Sequence, residues 1–305
     1  MAEPYLRRLG ARIAATGTVL CLGLDPDPGT VPERFGRGLA GAERFCNLLI
    51  DAAAPHAAAV KPNLAFFEAY GAAGLRALER LRRRVPAGIP IVADAKRGDI
   101  GTTSARHAVA VFDVLGADAV TASPYLGIEA IEPLISRADR CVYVLCRTSN
   151  PGAGELQDLV VAVDDATGAP AEPLHVRVAR RARAWNERFG TVGLVVGATA
   201  PRELAAIRAV APELPFLVPG IGAQGGDVEA ARTHAAATSG PAGATPGGAA
   251  LVNVSRGIAS AARDAVEVEA AVAAAALDWA SRLRVLESVP DSNAGHADAA
   301  DTRSN

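Results

Sequence analysis

The sequence predicts a single-domain α/β protein of the (β/α)8 TIM barrel class, a parallel eight-stranded barrel with outer helices. Three observations carry that prediction. Eight short runs rich in β-branched residues recur along the chain, and alanine-rich stretches of helical period separate them. Nearly every run also ends, on its C-terminal side, in polar residues or glycine.

The first run, TVLCLGLD (18–25), closes on Asp25. In AERFCNLLIDAAA, Phe45, Leu48, Leu49 and Ala52 fall at i, i+3, i+4 and i+7, which gives a helix one apolar face. The second run, AAVKPN (58–63), ends in Lys61 and Asn63. GLRALERLRRR follows as a helix with Leu75, Leu78 and Leu81 in a stripe and its arginines on a solvated face. The third run, IPIVADAK (89–96), ends in Asp94 and Lys96. DAVTAS (118–123) ends in Ser123, and CVYVLCRTS (141–149) in Arg147 to Ser149. ARRARAWNERFG is again a helix with an exposed basic face. TVGLVVGAT (191–199) ends in Thr199, and PFLVPGIG (215–222) in Gly220 and Gly222. Residues 233–249, rich in Gly, Ala, Thr and Pro, are expected to form a loop before the eighth run, AALVNVSRG (249–257), which ends in Ser255 and Arg256. The catalytic domain is placed at 1–287, and 288–305, nearly without apolar residues, is expected to be a disordered tail.

Composition narrows the function. With 31 basic and 33 acidic residues the net charge is -2, so there is no electrostatic case for nucleic acid or an anionic membrane surface. No stretch approaches the ~20 apolar residues of a membrane span, and the N-terminus lacks a signal-peptide core; a cytoplasmic location is expected. The four cysteines have no paired-ligand spacing and read as buried thiols, while the five histidines show no HxH or HExxH pattern, so no metal is expected.

In a (β/α)8 barrel the C-terminal strand ends share one rim, where active sites are assembled. Lys61, Asp94 and Lys96, placed at buried strand ends, need partners, because an unpaired buried charge costs several kcal/mol. Strand alternation points Asp94 and Lys96 the same way. Asp99, flanked by Gly98 and Gly101, has left the strand, so it must reach this site, or another subunit's, from a loop. PGIGAQGGD and VNVSRGI, at strands seven and eight, sit where such barrels bind phosphate.

Lys61 in VKPN, the block DAKRGDIGTT, SNPG at 149–152, PGIGAQGGD at 219–227 and NVSRGI at 253–258 together resemble the orotidine 5'-phosphate decarboxylase family, in its longer bacterial branch (type 2). The likeness covers about residues 15–285. It implies decarboxylation of orotidine 5'-phosphate to UMP in pyrimidine biosynthesis, with no metal and no organic cofactor. By the same resemblance Lys96 is the proton donor to C6, Asp94 lies against the substrate carboxylate, and Lys61 bridges the ribose and that carboxylate. Asp25 is then a ribose contact, Ser149 a pyrimidine contact, and Gln224 and Arg256 phosphate ligands. Asp99 and Thr103 are implied to cross the interface of a homodimer with shared active sites. Gly257 departs from the resemblance, since serine is also common there, and the 233–249 loop is longer and richer in Gly, Ala and Pro than the family needs. Two other readings stand beside this one: a related Mg2+-dependent sugar-phosphate barrel such as hexulose-6-phosphate synthase, and a catalytically dead barrel that only binds its ligand.

Overall fold

The computed structural model describes residues 3–163, 168, 170–222 and 225–285. The expected tail at 288–305 and the expected ligand Gln224 lie outside them.

All eight apolar runs are strands: β1 (Leu20–Leu24), β2 (Ala59–Pro62), β3 (Val92–Arg97), β4 (Ala119–Ala122), β5 (Cys141–Arg147), β6 (Val192–Val196), β7 (Phe216–Val218) and β8 (Leu251–Val254). They form one parallel sheet in the order β2-β1-β8-β7-β6-β5-β4-β3. Parallel bridges Val60↔Ile91 and Asn63↔Asp94 bring β2 against β3 and nearly close the barrel. Helices such as Gly38–Ala53, Gly71–Arg84, Leu174–Phe189 and Val268–Arg282 lie between or after the strands.

Alternation divides each strand between two cores. Leu20, Leu22 and Leu24 join Phe45, Leu49 and Ile50 in the layer between strands and helices. Cys21, Ala59, Val92, Ala119, Cys141, Tyr143, Leu217 and Leu251 point into the barrel and fill its N-terminal half. There the helix Tyr5–Thr16, absent from the sequence-based reading, acts as a plug: Tyr5, Leu9 and Ile13 are buried against those interior residues. The Tyr5 and Tyr143 hydroxyls meet at 3.1 Å.

The arginine run on Gly71–Arg84 ties helices together. Arg80 holds Glu43 through two bonds of 2.6 and 2.7 Å, and Arg84 holds Asp51. The apolar stripe is displaced from expectation, since Leu75 is exposed whereas Gly74, Ala77, Leu78 and Leu81 are buried. Gly74 is the cause: a Cβ there would stand 1.8 Å from the Phe67 carbonyl oxygen, so this row approaches its neighbour most closely.

Residues 233–249 differ from the expected open loop. They form a short helical turn, Gly240–Gly243, and a tight turn, Pro246–Ala249, in which Gly247, Gly248 and Ala249 have positive φ, packed under the N-terminal helix with Ala237, Ala242 and Ala249 buried. This segment feeds the N-terminal end of β8 and therefore lies at the end of the barrel opposite the charged rim.

Candidate active site

At the C-terminal rim three charged side chains from two strands converge. Lys61, on β2 and almost fully buried, donates from Nζ to Asp94 Oδ2 at 2.7 Å. Lys96 donates from its Nζ to Asp94 Oδ1 at 2.6 Å. Burial would pull the Lys61 ammonium down, but Asp94 and then Asp25 hold it above the usual lysine value. Burial would likewise raise the Asp94 carboxyl, but Lys61 and Lys96 hold it well below the usual carboxylate range. The array is charged throughout, with the carboxylate clamped between two ammonium groups.

Asp94 and Lys96 face one site, as expected, though not by simple alternation. Between Ala93 and Arg97 the register against β4 shifts: Ala93 pairs with Val120 and Arg97 with Ala122, so β3 carries an irregularity. Within it Lys96 has φ +48°, in the left-handed region that costs a side-chain residue about 1–2 kcal/mol. Thr121 of β4 fills the irregularity. Its Oγ1 accepts from Ala95 N at 3.0 Å and Lys96 N at 2.9 Å, and donates to Asp94 Oδ1 at 3.0 Å.

Asp25, Asn63, Gly220, Ile221, Asn253, Ser255 and Arg256 line an adjoining cavity of about 380 Å³. Arg256 is exposed, and among the described residues its guanidinium has no hydrogen bond or ion pair. Asn253, on β8, presents a buried Oδ1 with no hydrogen-bond partner. Gly23 makes room for it, since a Cβ there would lie 3.0 Å from that oxygen and 2.7 Å from Ser255 Cβ. Ser149, beyond β5, packs on Gly197, where a Cβ would lie 2.8 Å from its backbone nitrogen.

Asp99 and Thr103 do not join this array within the chain. Asp99 accepts from Ile100 N at 2.7 Å, and among the described residues its carboxylate has no ion pair. Thr103 lies in the helix Gly101–Ala108 that follows. A cavity of about 460 Å³ at the other end of the barrel is lined by Arg8, Arg12 and Arg82. Their donors are committed to Asp118 and to main-chain carbonyls, so it reads as structural packing.

Thr121 and Asn253 were not among the residues singled out from the sequence. Each stands two positions before a strand-end serine, Ser123 and Ser255, and so shares its inward face; parity was the available signal.

Fold and rim define a (β/α)8 barrel enzyme whose C-terminal rim holds a carboxylate between two lysines, beside a cavity lined by an arginine that is unpaired among the described residues. A family profile described as "Orotidine 5'-phosphate decarboxylase / HUMPS family" matches residues 18–271. The chain belongs to the orotidine 5'-phosphate decarboxylase / HUMPS family. It is 53% identical over 227 residues to the orotidine 5'-phosphate decarboxylase of Thermomicrobium roseum, covering 74% of this chain and 79% of that one. It is 50% identical over 257 residues to that of Roseiflexus castenholzii, covering 84% and 89%. Among solved structures it is similar to Leishmania donovani OMP decarboxylase, with 40% identity, a TM-score of 0.75 and coverage of 92% of this chain and 98% of that one.

Proposed function

We propose that this chain decarboxylates orotidine 5'-phosphate to UMP and CO2, and the observation that carries the reading is the Lys61–Asp94–Lys96 array. Breaking the bond from C6 to the carboxylate releases CO2 and leaves the electron pair in the ring plane, where no π system delocalises it. An ammonium held beside C6 stabilises that charge and then delivers a proton to it. Lys96 has this role: its Nζ is anchored 2.6 Å from Asp94, and its side chain is half exposed toward the rim.

Asp94 lies against the substrate carboxylate. Two carboxylates at about 4 Å repel by about 4 kcal/mol at an effective dielectric near 20, a stress relieved as CO2 leaves. Binding elsewhere must oppose that repulsion. Arg256 and Gln224 hold the phosphate, Asp25 and Lys61 the ribose, and Ser149 the pyrimidine. The unpaired state of Arg256 among the described residues supports an anion there.

The enzyme works as a homodimer in which Asp99 and Thr103 enter the neighbouring subunit's site, and it resides in the cytoplasm. Among the described residues Asp99 has no ion pair, and Ile100, Tyr125 and Leu126 beside it are exposed apolar residues. The loops that carry them are in contact: a Cβ on Gly98 would stand 2.6 Å from Ser123 O. Among the described residues no helix is long and apolar enough to cross a membrane.

Mg2+-assisted chemistry on a sugar phosphate would need carboxylates free to hold the ion. Here a lysine stands at the end of β2, and both Asp94 oxygens are taken by ammonium groups. The test is the loss of orotidine absorbance on adding enzyme with chelator present. Lys96→Ala is expected to lose turnover by many orders of magnitude while still binding UMP. Unchanged absorbance with the wild type, or near-normal activity in the variant, would overturn the reading.

A further inference from the structure

Thr121 sits where two demands of the site meet. The register shift removes Ala95 and Lys96 from the regular ladder with β4, so their amides need another acceptor. Thr121 Oγ1 supplies it for both, at 3.0 and 2.9 Å. The same oxygen donates its single proton to Asp94 Oδ1 at 3.0 Å, so two acceptor sites and one donor are all used. The residue is 2% exposed, and as a β-branched side chain on a strand it has a restricted χ1.

We propose that Thr121 is a positioning residue for the decarboxylation: one hydroxyl fixes both the left-handed backbone that returns Lys96 to the pocket and the rotamer of Asp94. Through these bonds the separation of the proton donor and the carboxylate is set by β4 instead of being left to a flexible lysine. Thr121 itself touches no substrate atom in this scheme. Asp94 Oδ1 receives Lys96 and Thr121 while Oδ2 receives Lys61, so each oxygen has a named partner and the carboxylate plane cannot turn without breaking one. The proposal rests on the decarboxylase reading for its kinetic consequence, but its geometric consequence does not depend on it.

The test is a series at this position. Thr121→Val keeps the shape and removes the hydroxyl; kcat is expected to fall about 100-fold while KM and the UMP dissociation constant stay within about threefold, because the phosphate and ribose contacts come from other strands. Thr121→Ser should restore kcat to within about fivefold of wild type. A Val variant within about threefold of the wild-type kcat would overturn the proposal. Should the Val variant fail to fold, Thr121→Ser and Thr121→Ala both lose the methyl and differ only in the hydroxyl; equal kcat in these two would also overturn it. If wild-type protein shows no turnover, the decarboxylase reading fails, and the positioning role is decided by the crystal structure of Thr121→Val. There Lys96 is expected to leave the left-handed region; Lys96 still at φ near +48° with Nζ on Asp94 would refute the role.

Discussion

Lys61 Nζ lies 2.7 Å from Asp94 Oδ2, on a strand pair joined by little more than the bridges Val60↔Ile91 and Asn63↔Asp94. The ion pair thus stands at a junction where only isolated bridges join the two strands. It links two neighbouring strands across that junction.

Removing Lys61 takes from Asp94 the buried one of its two ammonium partners and leaves it only the half-exposed Lys96. Lys61→Met is expected to destabilise the protein by about 3 kcal/mol, seen as a lower urea midpoint with an unchanged slope. Asp94→Asn in the same chain should recover part of that loss. A single variant as stable as wild type would show that the pair contributes nothing to closure.

The pH dependence has a definite sign. Asp94 is held below its unfolded value of about 3.9, so its stabilisation is complete above that value and is lost as pH falls through the folded one. Lys61 is held above its usual value, so its contribution is present below about 10 and is lost only at higher pH. The stability difference between wild type and Asp94→Asn should therefore shrink as pH drops below about 4, and be flat from about 5 to 9. Urea titrations at each pH measure it; a change centred near 6 would contradict the clamp.

Arg208 tests a purely structural cation. Its guanidinium lies 3.5 Å over the Phe216 ring and donates to the carbonyls of Ala211 at 2.7 Å, Leu214 at 2.9 Å, His234 at 3.1 Å and Ala235 at 2.7 Å. Arg208→Met should cost about 3 kcal/mol, from several net hydrogen bonds and one cation–π contact, and leave kcat within about twofold. Calorimetry and a steady-state assay separate the two effects.

Shared active sites are checked by mixing inactive variants. Lys96→Ala and Asp99→Ala chains co-refolded in equal amounts should regain about a quarter of wild-type activity, since half the dimers are mixed and each holds one intact site. Mixtures as inactive as either parent would exclude an Asp99 contribution across subunits.

Gly257, where the resemblance also allows serine, is explained by packing. A Cβ there would lie 2.9 Å from Trp279 Nε1 and 3.0 Å from Val254 Cγ1. Gly257→Ala should cost about 1–3 kcal/mol and shift Trp279 fluorescence, with a raised KM because Arg256 precedes it. An unchanged emission spectrum would argue against this contact.

The eight strands were legible in the sequence because each combines a local period with β-branched residues and a polar terminus, and both signals are written in consecutive positions. The strand-end residues Asp25, Lys61, Asp94, Ser149 and Arg256 were found the same way. The N-terminal plug was not, since what makes Tyr5, Leu9 and Ile13 core residues is the open end of a barrel assembled from chain far away. For the same reason the segment 233–249 read as a loop: its composition is that of a turn, and only the helix above it makes its alanines interior.

By itself the sequence determined the barrel class, the family resemblance and the crowding of charge in DAKRGDIGTT, all properties of neighbouring residues. Tertiary structure alone decided how that charge is arranged. It placed Lys61 on one side of Asp94 and Lys96 on the other, set Lys96 at φ +48°, and gave Thr121 three bonds to hold it there. The physical reason is that a buried charge and a left-handed lysine are each unfavourable alone, and the partners that make them tolerable come from strands 25 or more residues away.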